Sequence, residues 1–588
     1  MSSPWAFGNT TVRNPLRIRS GLIVLKNSAL NGFLIGKSQE LKFAELLDAA
    51  GVVEIKNPSR DYSDLGRKWR SCFSQLGFIT HKFSRGTELG KTEPLIGSAI
   101  KLIGDRRMTG LPFEITPIGR RLIDAESFPE QQECMLRALK SYEIPSAIEA
   151  HNGVTPFKPL FFMLQALTEL LAQTGTGLSG VEMGVLQVFR THDPDEIKDI
   201  IALIVKYREL CQNTDGTVAK RMLGRKTLEP FADNMGIRFE SLNDYADLNF
   251  RYLRHTGLFS YRGRRLVFNS DKQAIIDAIL SDGVKPAGAN NEQYLAGLWA
   301  GAPLPTDDER GALSEITRYR NLLANCDIPP DLLPDVPEHP SIADMNMIRL
   351  RLEKMRQDQL ELQYAAIQAE EPYISETIAY LKKLDNQNDE CTKNLEKIDD
   401  KAAYLEWAVW RAFLAIDSLV NPAYEARRFR VDQDFYPIGC APGRGPDMIF
   451  IFEDFAFVVE VTLTSSSRQE AAEGEPVRRH VAMEKERIAG ESGKPVYGLF
   501  LAGTIDNNTA ETFRIGVWYN GDNPEFINIV PLKLSQFIQI MVVFRERRFS
   551  AARLRQLLDT CLIPRNAHAP AWKKEIETSV MDFISSIT

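Results

Sequence analysis

The chain has 588 residues, of which 44% are hydrophobic and 25% charged, and its formal net charge is −7. This length is too great for one hydrophobic core and predicts about three or four domains of ordinary globular composition. The sequence has no uncharged apolar run of about 18 residues, no basic-then-apolar leader, and no CxxC spacing among its seven cysteines. We therefore expect a cytoplasmic protein with reduced thiols, without a membrane span, a disulfide framework or a zinc site.

Residues 1–130 are predicted to form a first winged-helix-like module. Helical patterns near 41–50 and 63–76 precede short strand signals at 78–80 and within 113–122. Two helices followed by a small hairpin are typical of a winged helix. The candidate DNA contacts lie on the second helix and after the hairpin, and a solvated helix face is the alternative interpretation; they are Arg67, Lys68, Arg70, Arg120 and Arg121.

Residues 131–290 are predicted to form a second winged-helix-like module. Amphipathic stretches at 159–173 and 181–189 lead to a helix near 242–256 and then a hairpin with an Arg-Gly turn. An acidic chain can still present one basic face, and residues 251–265 contain no acid. The arginines expected to bind backbone phosphates are Arg251, Arg254, Arg262, Arg264 and Arg265.

Residues 291–395 are interpreted as a helical linker. The stretch 283–341 is rich in Pro and Gly, and charged segments with apolar residues at helical spacing follow it. Residues 396–588 then alternate helices with four β-rich runs, which predicts a mixed sheet flanked by helices. The predicted architecture is multidomain, with a mainly α N-terminal half and an α/β C-terminal domain.

Two apolar runs within residues 446–464 flank a short acidic turn and predict a β-hairpin. If Glu453 and Asp454 form the turn, counting outward along both strands places Asp447 opposite Glu460. Directly opposed carboxylates repel each other and call for a cation, for which Mg²⁺ is the natural candidate. The alternative is that Asp447 caps a strand and Glu460 faces solvent.

Several motifs together resemble the AlwI family of type IIS restriction endonucleases and their nicking relatives. In the C-terminal domain these are Trp407, Gly445-Pro446-Asp447-Met448, Glu460-Val461-Thr462, Glu475-Pro476-Val477-Arg478-Arg479-His480 and Gly498-Leu499-Phe500-Leu501-Ala502. In the N-terminal half they are Gly8-Asn9-Thr10-Thr11-Val12-Arg13-Asn14-Pro15 and the stretch from Phe250 to Phe259 with Arg262-Gly263 and Leu266-Val267. The resemblance implies a PD-(D/E)xK-like nuclease domain.

The resemblance also implies roles for individual residues. Asp447 and Glu460, with the main-chain carbonyl of Val461, are the expected Mg²⁺ ligands, and Thr462 stands where the general motif has Lys. Glu475 and His480 are expected to join the site, although a helix-capping acid and a packing histidine are the alternatives. Glu406 lies in an otherwise apolar helical stretch, where a carboxylate aimed at the metal competes with an exposed Glu beside a buried Trp pair.

By resemblance, the expected activity is Mg²⁺-dependent cleavage of double-stranded DNA a short distance outside an asymmetric site. One metal centre cuts one strand at a time, so double-strand cleavage requires a transient homodimer or a partner nuclease subunit. The alternatives are a strand-specific nicking subunit, a winged-helix regulator with an inactive nuclease domain, and a structure-specific repair nuclease.

Overall fold

The computed structural model describes residues 4–587 apart from 35, 54, 56–59, 81–112, 145, 147–156, 285–290, 388–389, 394, 396–397, 399, 418, 443–444 and 465–467. The chain divides into two compact units, Met1–Met355 and Arg356–Thr588. The division falls within one helix, Ile342–Ala366. Within the described ranges, none of the helices has the length and apolar character required to cross a membrane.

The first unit is mainly helical. Several of its helices begin with local signals that the sequence itself carries, including capping boxes that join Ser127 to Glu130 and Ser179 to Glu182. Its main described helices are Leu16–Asn27, Lys37–Ala49, Ser63–Gln75, Pro117–Asp124, Phe128–Ser141, Pro159–Thr174, Gly180–Leu186, Pro194–Gln212, Thr217–Met235, Phe239–Arg254, Gln273–Asp282, Asn291–Ala300 and Glu309–Ala324.

The segment 113–122 differs from its predicted hairpin. Ile79 and Ile115 form an isolated antiparallel bridge, and a helix begins directly afterwards at Pro117. Thr116 caps this helix by accepting a hydrogen bond of 3.1 Å from the Gly119 backbone N–H, and Pro suits a first helical position. Arg120 and Arg121 therefore lie on a helix. Residues 81–112, which separate the two bridge partners, lie outside the described residues.

The second predicted module contains a short antiparallel hairpin. Strands β1 (Phe259–Arg262) and β2 (Arg265–Phe268) follow the helix Phe239–Arg254, and Leu178 forms a further bridge with Leu266. The two turn residues, Gly263 and Arg264, have φ angles of 56° and 63°. Positive φ at both central positions defines a type I′ turn, whose twist matches that of the strands.

The N-terminal segment packs inside this unit. The backbone N–H of Phe7 donates to Asn249 Oδ1 at 3.1 Å, and the Tyr252 hydroxyl donates to the carbonyl of Val12 at 2.9 Å. Gly8 lies against Tyr252, where an added β-carbon would stand 2.9 Å from the phenolic oxygen. Two of the family-like motifs of the N-terminal half thus contact each other.

Residues 291–355 pack as part of the first unit. Apolar side chains from 312 to 352 form a small core of their own. Lys272 pairs with Glu353 at 2.5 Å, and Glu133 pairs with both Arg137 and Arg349. The segment interpreted as a linker therefore makes buried ion pairs with the unit that precedes it.

The second unit surrounds a four-stranded mixed sheet, whose strands lie in the order Asn528–Lys533, Val496–Ala502, Ala456–Thr462 and Met448–Ile451. Strands β10 (Asn528–Lys533), β7 (Val496–Ala502) and β6 (Ala456–Thr462) are parallel, whereas β5 (Met448–Ile451) is antiparallel to β6. Two small hairpins pair β3 (Arg430–Val431) with β4 (Pro437–Gly439) and β8 (Val517–Asn520) with β9 (Asn523–Phe526). The main flanking helices are Glu371–Leu384, Lys401–Ile416, Glu475–Ser492, Asn507–Ile515, Leu534–Glu546, Ala551–Leu562 and Ala569–Ile587.

Candidate functional site: a cluster of buried carboxyl groups

The hairpin register predicted from the sequence is confirmed. The Phe452 backbone N–H donates to Phe455 at 2.9 Å across the turn, and Met448 pairs with Val459. One step further out, Asp447 and Glu460 stand on opposite strands at directly opposed positions. Opposed residues of an antiparallel pair point to the same face, so the charge of Glu460 acts on the carboxyl group of Asp447.

Each of these two carboxyl groups has a hydrogen-bond partner. Asp447 Oδ2 accepts from the Val461 backbone N–H at 2.8 Å, and Glu460 Oε1 lies 2.6 Å from His480 Nδ1. His480 belongs to the helix Glu475–Ser492, and its side chain is only 8% exposed. The structure therefore brings the predicted residues Asp447, Glu460, Val461 and His480 together.

Burial and the charges of neighbouring carboxyl groups disfavour ionisation of the pair. Burial, and then the charge of Glu460, raise the pKa of Asp447 well above its usual range. Burial, and then the charge of Glu473, raise the pKa of Glu460 to about 8. A bound cation would reverse this preference, because it stabilises the ionised form of both groups.

Glu406 faces the same site from the helix Lys401–Ile416. Its Oε2 accepts a hydrogen bond of 2.7 Å from the Ala441 backbone N–H. Burial, followed by the charge of Asp447, raises the pKa of Glu406 to about 9. The helix is buried on nearly every side, with Trp407 and Trp410 at 2% exposure or less, which carries this carboxyl group inward as well.

Glu473 was missed by the sequence analysis. It lies in a five-residue π-helix, Glu470–Gly474, directly before the helix that carries His480. Burial raises the pKa of Glu473, whereas a hydrogen bond from the Thr462 side chain lowers it. Thr462 occupies the position of the motif Lys, so this position holds a fourth carboxyl group at the site, that of Glu473.

Glu475 is placed differently from Glu473. It is the first residue of its helix, its side chain is 56% exposed, and it forms an ion pair of 3.0 Å with Arg479. The sequence alone does not distinguish Glu473 from Glu475 as the acid that faces the site, because both shortly precede Pro476, which marks the helix start. The π-helical turn that points Glu473 towards the sheet has no recognisable local sequence signal.

The carboxyl oxygens of Asp447 and Glu460 suit Mg²⁺, which typically uses few carboxylates together with water and substrate oxygens. Across the residues that the structure describes, no group of three or more His, Cys, Asp or Glu side chains is arranged to hold a metal ion. Any metal at the pair would therefore draw its remaining ligands from the Val461 carbonyl, water or a bound phosphate.

The ten predicted DNA-contacting residues fall into two groups in the first unit. Arg120, Arg262 and Arg264 are exposed and lie outside the contacts given next, whereas Arg67 and Arg121 are exposed but paired. The others contact acids or carbonyls of the unit: Arg67 and Lys68 pair with Asp64, Arg70 with Glu40 and the Leu34 carbonyl, Arg121 with Glu133, Arg251 with Asp247, and Arg265 with Glu182, while Arg254 lies 5.1 Å from the Tyr261 ring centre.

Comparison with known proteins identifies the class to which this chain belongs. The sequence model of the AlwI restriction endonuclease family matches residues 74–540, most of the chain. The chain therefore belongs to the AlwI restriction endonuclease family, a class of DNA nucleases.

Among solved structures, the chain is similar to the small subunit (R.BspD6I2) of the heterodimeric restriction endonuclease R.BspD6I, with 22% identity and a TM-score of 0.28. This similarity covers 35% of the present chain and 97% of the subunit. No curated protein matches the chain.

Proposed function

We propose that this protein is a Mg²⁺-dependent type IIS endonuclease with a PD-(D/E)xK-like catalytic site in its second unit. It would bind an asymmetric DNA sequence and hydrolyse phosphodiester bonds a short distance outside that sequence. The observation that carries the proposal is the hairpin register, which opposes Asp447 and Glu460 at one face of the sheet. Family membership supplies the substrate class.

Within this proposal, Asp447, Glu460 and the Val461 carbonyl would hold the metal. When bound, Mg²⁺ stabilises negative charge on the phosphoryl oxygens and lowers the pKa of a bound water. Glu473, which is hydrogen-bonded to Thr462, would position the reacting groups at the same face of the sheet. Glu406 would keep a proton beside Asp447.

His480 is suited to a proton-handling role. Its Nδ1 is committed to Glu460, and among the described residues its buried Nε2 has no hydrogen-bond partner. Burial, followed by the charges of Arg479 and Arg428, lowers the pKa of His480. The neutral imidazole would thus be able to accept a proton through Nε2 while Nδ1 fixes the orientation of Glu460.

The first unit would supply DNA binding through winged-helix-like modules. Arg262 and Arg264 at the exposed β1–β2 hairpin are the best placed of the predicted contacts to bind backbone phosphates. Double-strand cleavage would require a second nuclease unit, from a transient homodimer or a partner subunit.

Cleavage of supercoiled plasmid in Mg²⁺, followed by sequencing of the ends, tests the proposal. Double-strand cuts at a fixed offset from one sequence support type IIS activity, and a single nick at such an offset identifies a nicking enzyme. Cuts confined to junctions or flaps would indicate a repair nuclease, and an absence of cutting would leave a DNA-binding protein with an inactive nuclease domain.

Substitutions at the site give the matching prediction. Asp447→Asn, Glu460→Gln and Glu473→Gln should each slow single-turnover cleavage by at least about 100-fold, as expected when one electrostatic contact to the transition state is lost. Specific binding, measured by gel shift, should change little because the basic hairpin lies in the other unit.

The helix that carries His480 offers both a test and a control. Glu475→Gln tests the sequence-based expectation that Glu475 takes part in the chemistry. Glu491→Gln, at the far end of the same helix, is the matched control because it removes only an exposed ion pair with Arg487. If Asp447→Asn cleaves as fast as Glu491→Gln, the proposed site is wrong.

A further inference from the structure

The site has no lysine at the position where the general nuclease motif places one. Thr462 occupies that position, accepts a hydrogen bond of 3.1 Å from the Thr464 backbone N–H, and holds Glu473. Phosphodiester hydrolysis nevertheless develops negative charge on the phosphoryl oxygens, which a positioned cationic side chain would stabilise. The positive side chains packed against Asp447 and Glu460 are therefore the relevant candidates.

Arg428 lies beside the start of the β5–β6 hairpin. The preceding residue, Arg427, forms an antiparallel bridge with Met448, and the Arg428 backbone N–H donates to the Asp447 carbonyl at 3.1 Å. The backbone of Arg428 is thus fixed directly to the residue whose carboxyl group opposes Glu460.

The Arg428 side chain turns along the same segment. Its Nη1 donates to the Pro446 carbonyl at 3.1 Å, and a β-carbon added to Gly445 would stand 1.9 Å from Nη1. The guanidinium therefore occupies the space that Gly445 leaves free, three residues before β5 begins at Met448. A β-carbon at 445 would displace the guanidinium from this position.

The charge of Arg428 acts on the site itself. This charge lowers the pKa of Glu460, against the effects of burial and of Glu473. It also lowers the pKa of His480, where burial and Arg479 have larger effects in the same direction. Both of these side chains are therefore within electrostatic range of the guanidinium.

The neighbouring arginine provides a contrast. Arg427 makes two hydrogen bonds, of 2.6 and 2.7 Å, to the buried Glu361, so its guanidinium is committed to the fold. A guanidinium has five N–H donors, and with the described residues Arg428 makes the one side-chain hydrogen bond given above. Arg428 thus retains donors for a planar, doubly hydrogen-bonded contact to a phosphate.

Given the proposed nuclease function, we propose that Arg428 binds the non-bridging oxygens of the scissile phosphate and supplies the positive charge that Thr462 lacks. The side chain stays protonated throughout and transfers no proton. Its effect is on the hydrolytic step, because the negative charge it contacts increases as the water attacks.

Three variants of the full-length protein test this role on a duplex oligonucleotide that carries the cleavage site mapped for wild type. Arg428→Ala and Arg428→Gln should reduce the single-turnover rate by about 100-fold, with little change in Kd for the duplex. Arg428→Lys should recover part of the rate, since it restores the charge without the planar fork.

Chemical rescue separates a direct contact from a packing effect. Free guanidinium ion, at concentrations that leave the melting temperature unchanged, should accelerate cleavage by Arg428→Ala, whereas urea at the same concentration should not. Arg547→Gln is the matched control, because this arginine is exposed and directly follows the helix Leu534–Glu546, outside the β5–β6 hairpin.

The outcomes are distinguishable. Wild-type rates in Arg428→Gln overturn the role of Arg428 while leaving the nuclease proposal intact. Loss of both melting temperature and DNA affinity, without rescue by guanidinium, assigns Arg428 to folding and also overturns the proposal. A wild-type protein that cuts no DNA in Mg²⁺ overturns both the nuclease function and the inference drawn from it.

Discussion

The carboxyl groups of Asp447, Glu460 and Glu406 share one physical condition, which is burial beside another acid. Their ordinary pKa values near 4 are raised, to about 8 for Glu460 and about 9 for Glu406. In the unfolded chain these acids lose their protons near the ordinary values. Between the two sets of pKa values, the folded protein therefore binds more protons than the unfolded chain.

This difference fixes the sign of the pH dependence of stability. In the absence of divalent cations, the contribution of these three carboxyl groups to the free energy of unfolding should fall as the pH rises from about 5 to about 9, because these groups release protons on unfolding throughout that window. Mg²⁺ competes with these protons for the same oxygens. It should therefore raise the melting temperature more at a pH of about 8.5 than at a pH of about 6.

Calorimetry in EDTA and in Mg²⁺ measures both effects. Asp447→Asn provides the comparison, since it removes one charge of the opposed pair and should reduce both the pH slope and the extra stabilisation by Mg²⁺. An equal Mg²⁺-induced shift at both pH values, or an unchanged shift in Asp447→Asn, would place Mg²⁺ binding elsewhere.

At the scale of secondary structure, the β1–β2 hairpin combines backbone strain with charge. Arg264 has a φ of 63° at the second position of a type I′ turn, where glycine or asparagine is usual. A left-handed conformation is unfavourable for a residue with a β-carbon by about 1–2 kcal/mol. The fold thus tolerates strain in order to present an arginine at the exposed tip.

Substitution of this residue should separate stability from binding. Arg264→Gly should stabilise the first unit by up to about 1 kcal/mol through relief of strain. It should also weaken DNA binding and reduce the slope of log K against log salt by about 0.9, the value for one phosphate contact. Thermal unfolding and binding titrations at several salt concentrations measure the two effects.

The neighbouring arginines are the controls for this prediction. Arg262→Gln should reduce the salt slope without a gain in stability, because its backbone φ is not positive. Arg265 donates to the buried Glu182 and to the Gly177 carbonyl, so Arg265→Gln should mainly destabilise the unit. An unchanged salt slope in Arg264→Gly would place this hairpin away from the DNA.

At the scale of the whole molecule, buried ion pairs extend the first unit beyond its predicted boundary. Glu133 lies among Arg121, Arg137 and Arg349. Burial raises the pKa of Glu133, but the three arginines have the larger combined effect and lower it to about 2. Lys272 similarly pairs with Glu353. Removal of one partner from a buried pair is unfavourable by about 3–5 kcal/mol, because the other charge remains buried.

Two fragments test how far the first unit extends. A fragment of residues 1–366, which keeps the helix Ile342–Ala366 whole, should unfold cooperatively and resist proteolysis. A fragment of residues 1–290 lacks Asp307, Arg349 and Glu353 and should melt at a lower temperature, with greater sensitivity to proteases. Equal melting temperatures would favour the predicted division at residue 290.

The sequence by itself determined the local geometry of the site. The short acidic turn at Glu453 and Asp454 and the apolar runs beside it fix which residues of the hairpin oppose each other, because strand register follows from turn length and the two-residue period. The helix start at Glu475 was predictable from Pro476, because proline suits the first turn of a helix.

Only the tertiary structure decided which charged groups meet across the chain. A π-helical turn selects Glu473 for the carboxyl cluster, and the packing of a buried helix adds Glu406. Arginines that look alike in the sequence differ in the fold. Arg265 forms an ion pair with Glu182, which is distant in sequence, whereas Arg264 stays exposed. Turns, caps and periodicity are local and can be read from neighbouring residues, whereas burial and ion pairing depend on which surfaces pack together.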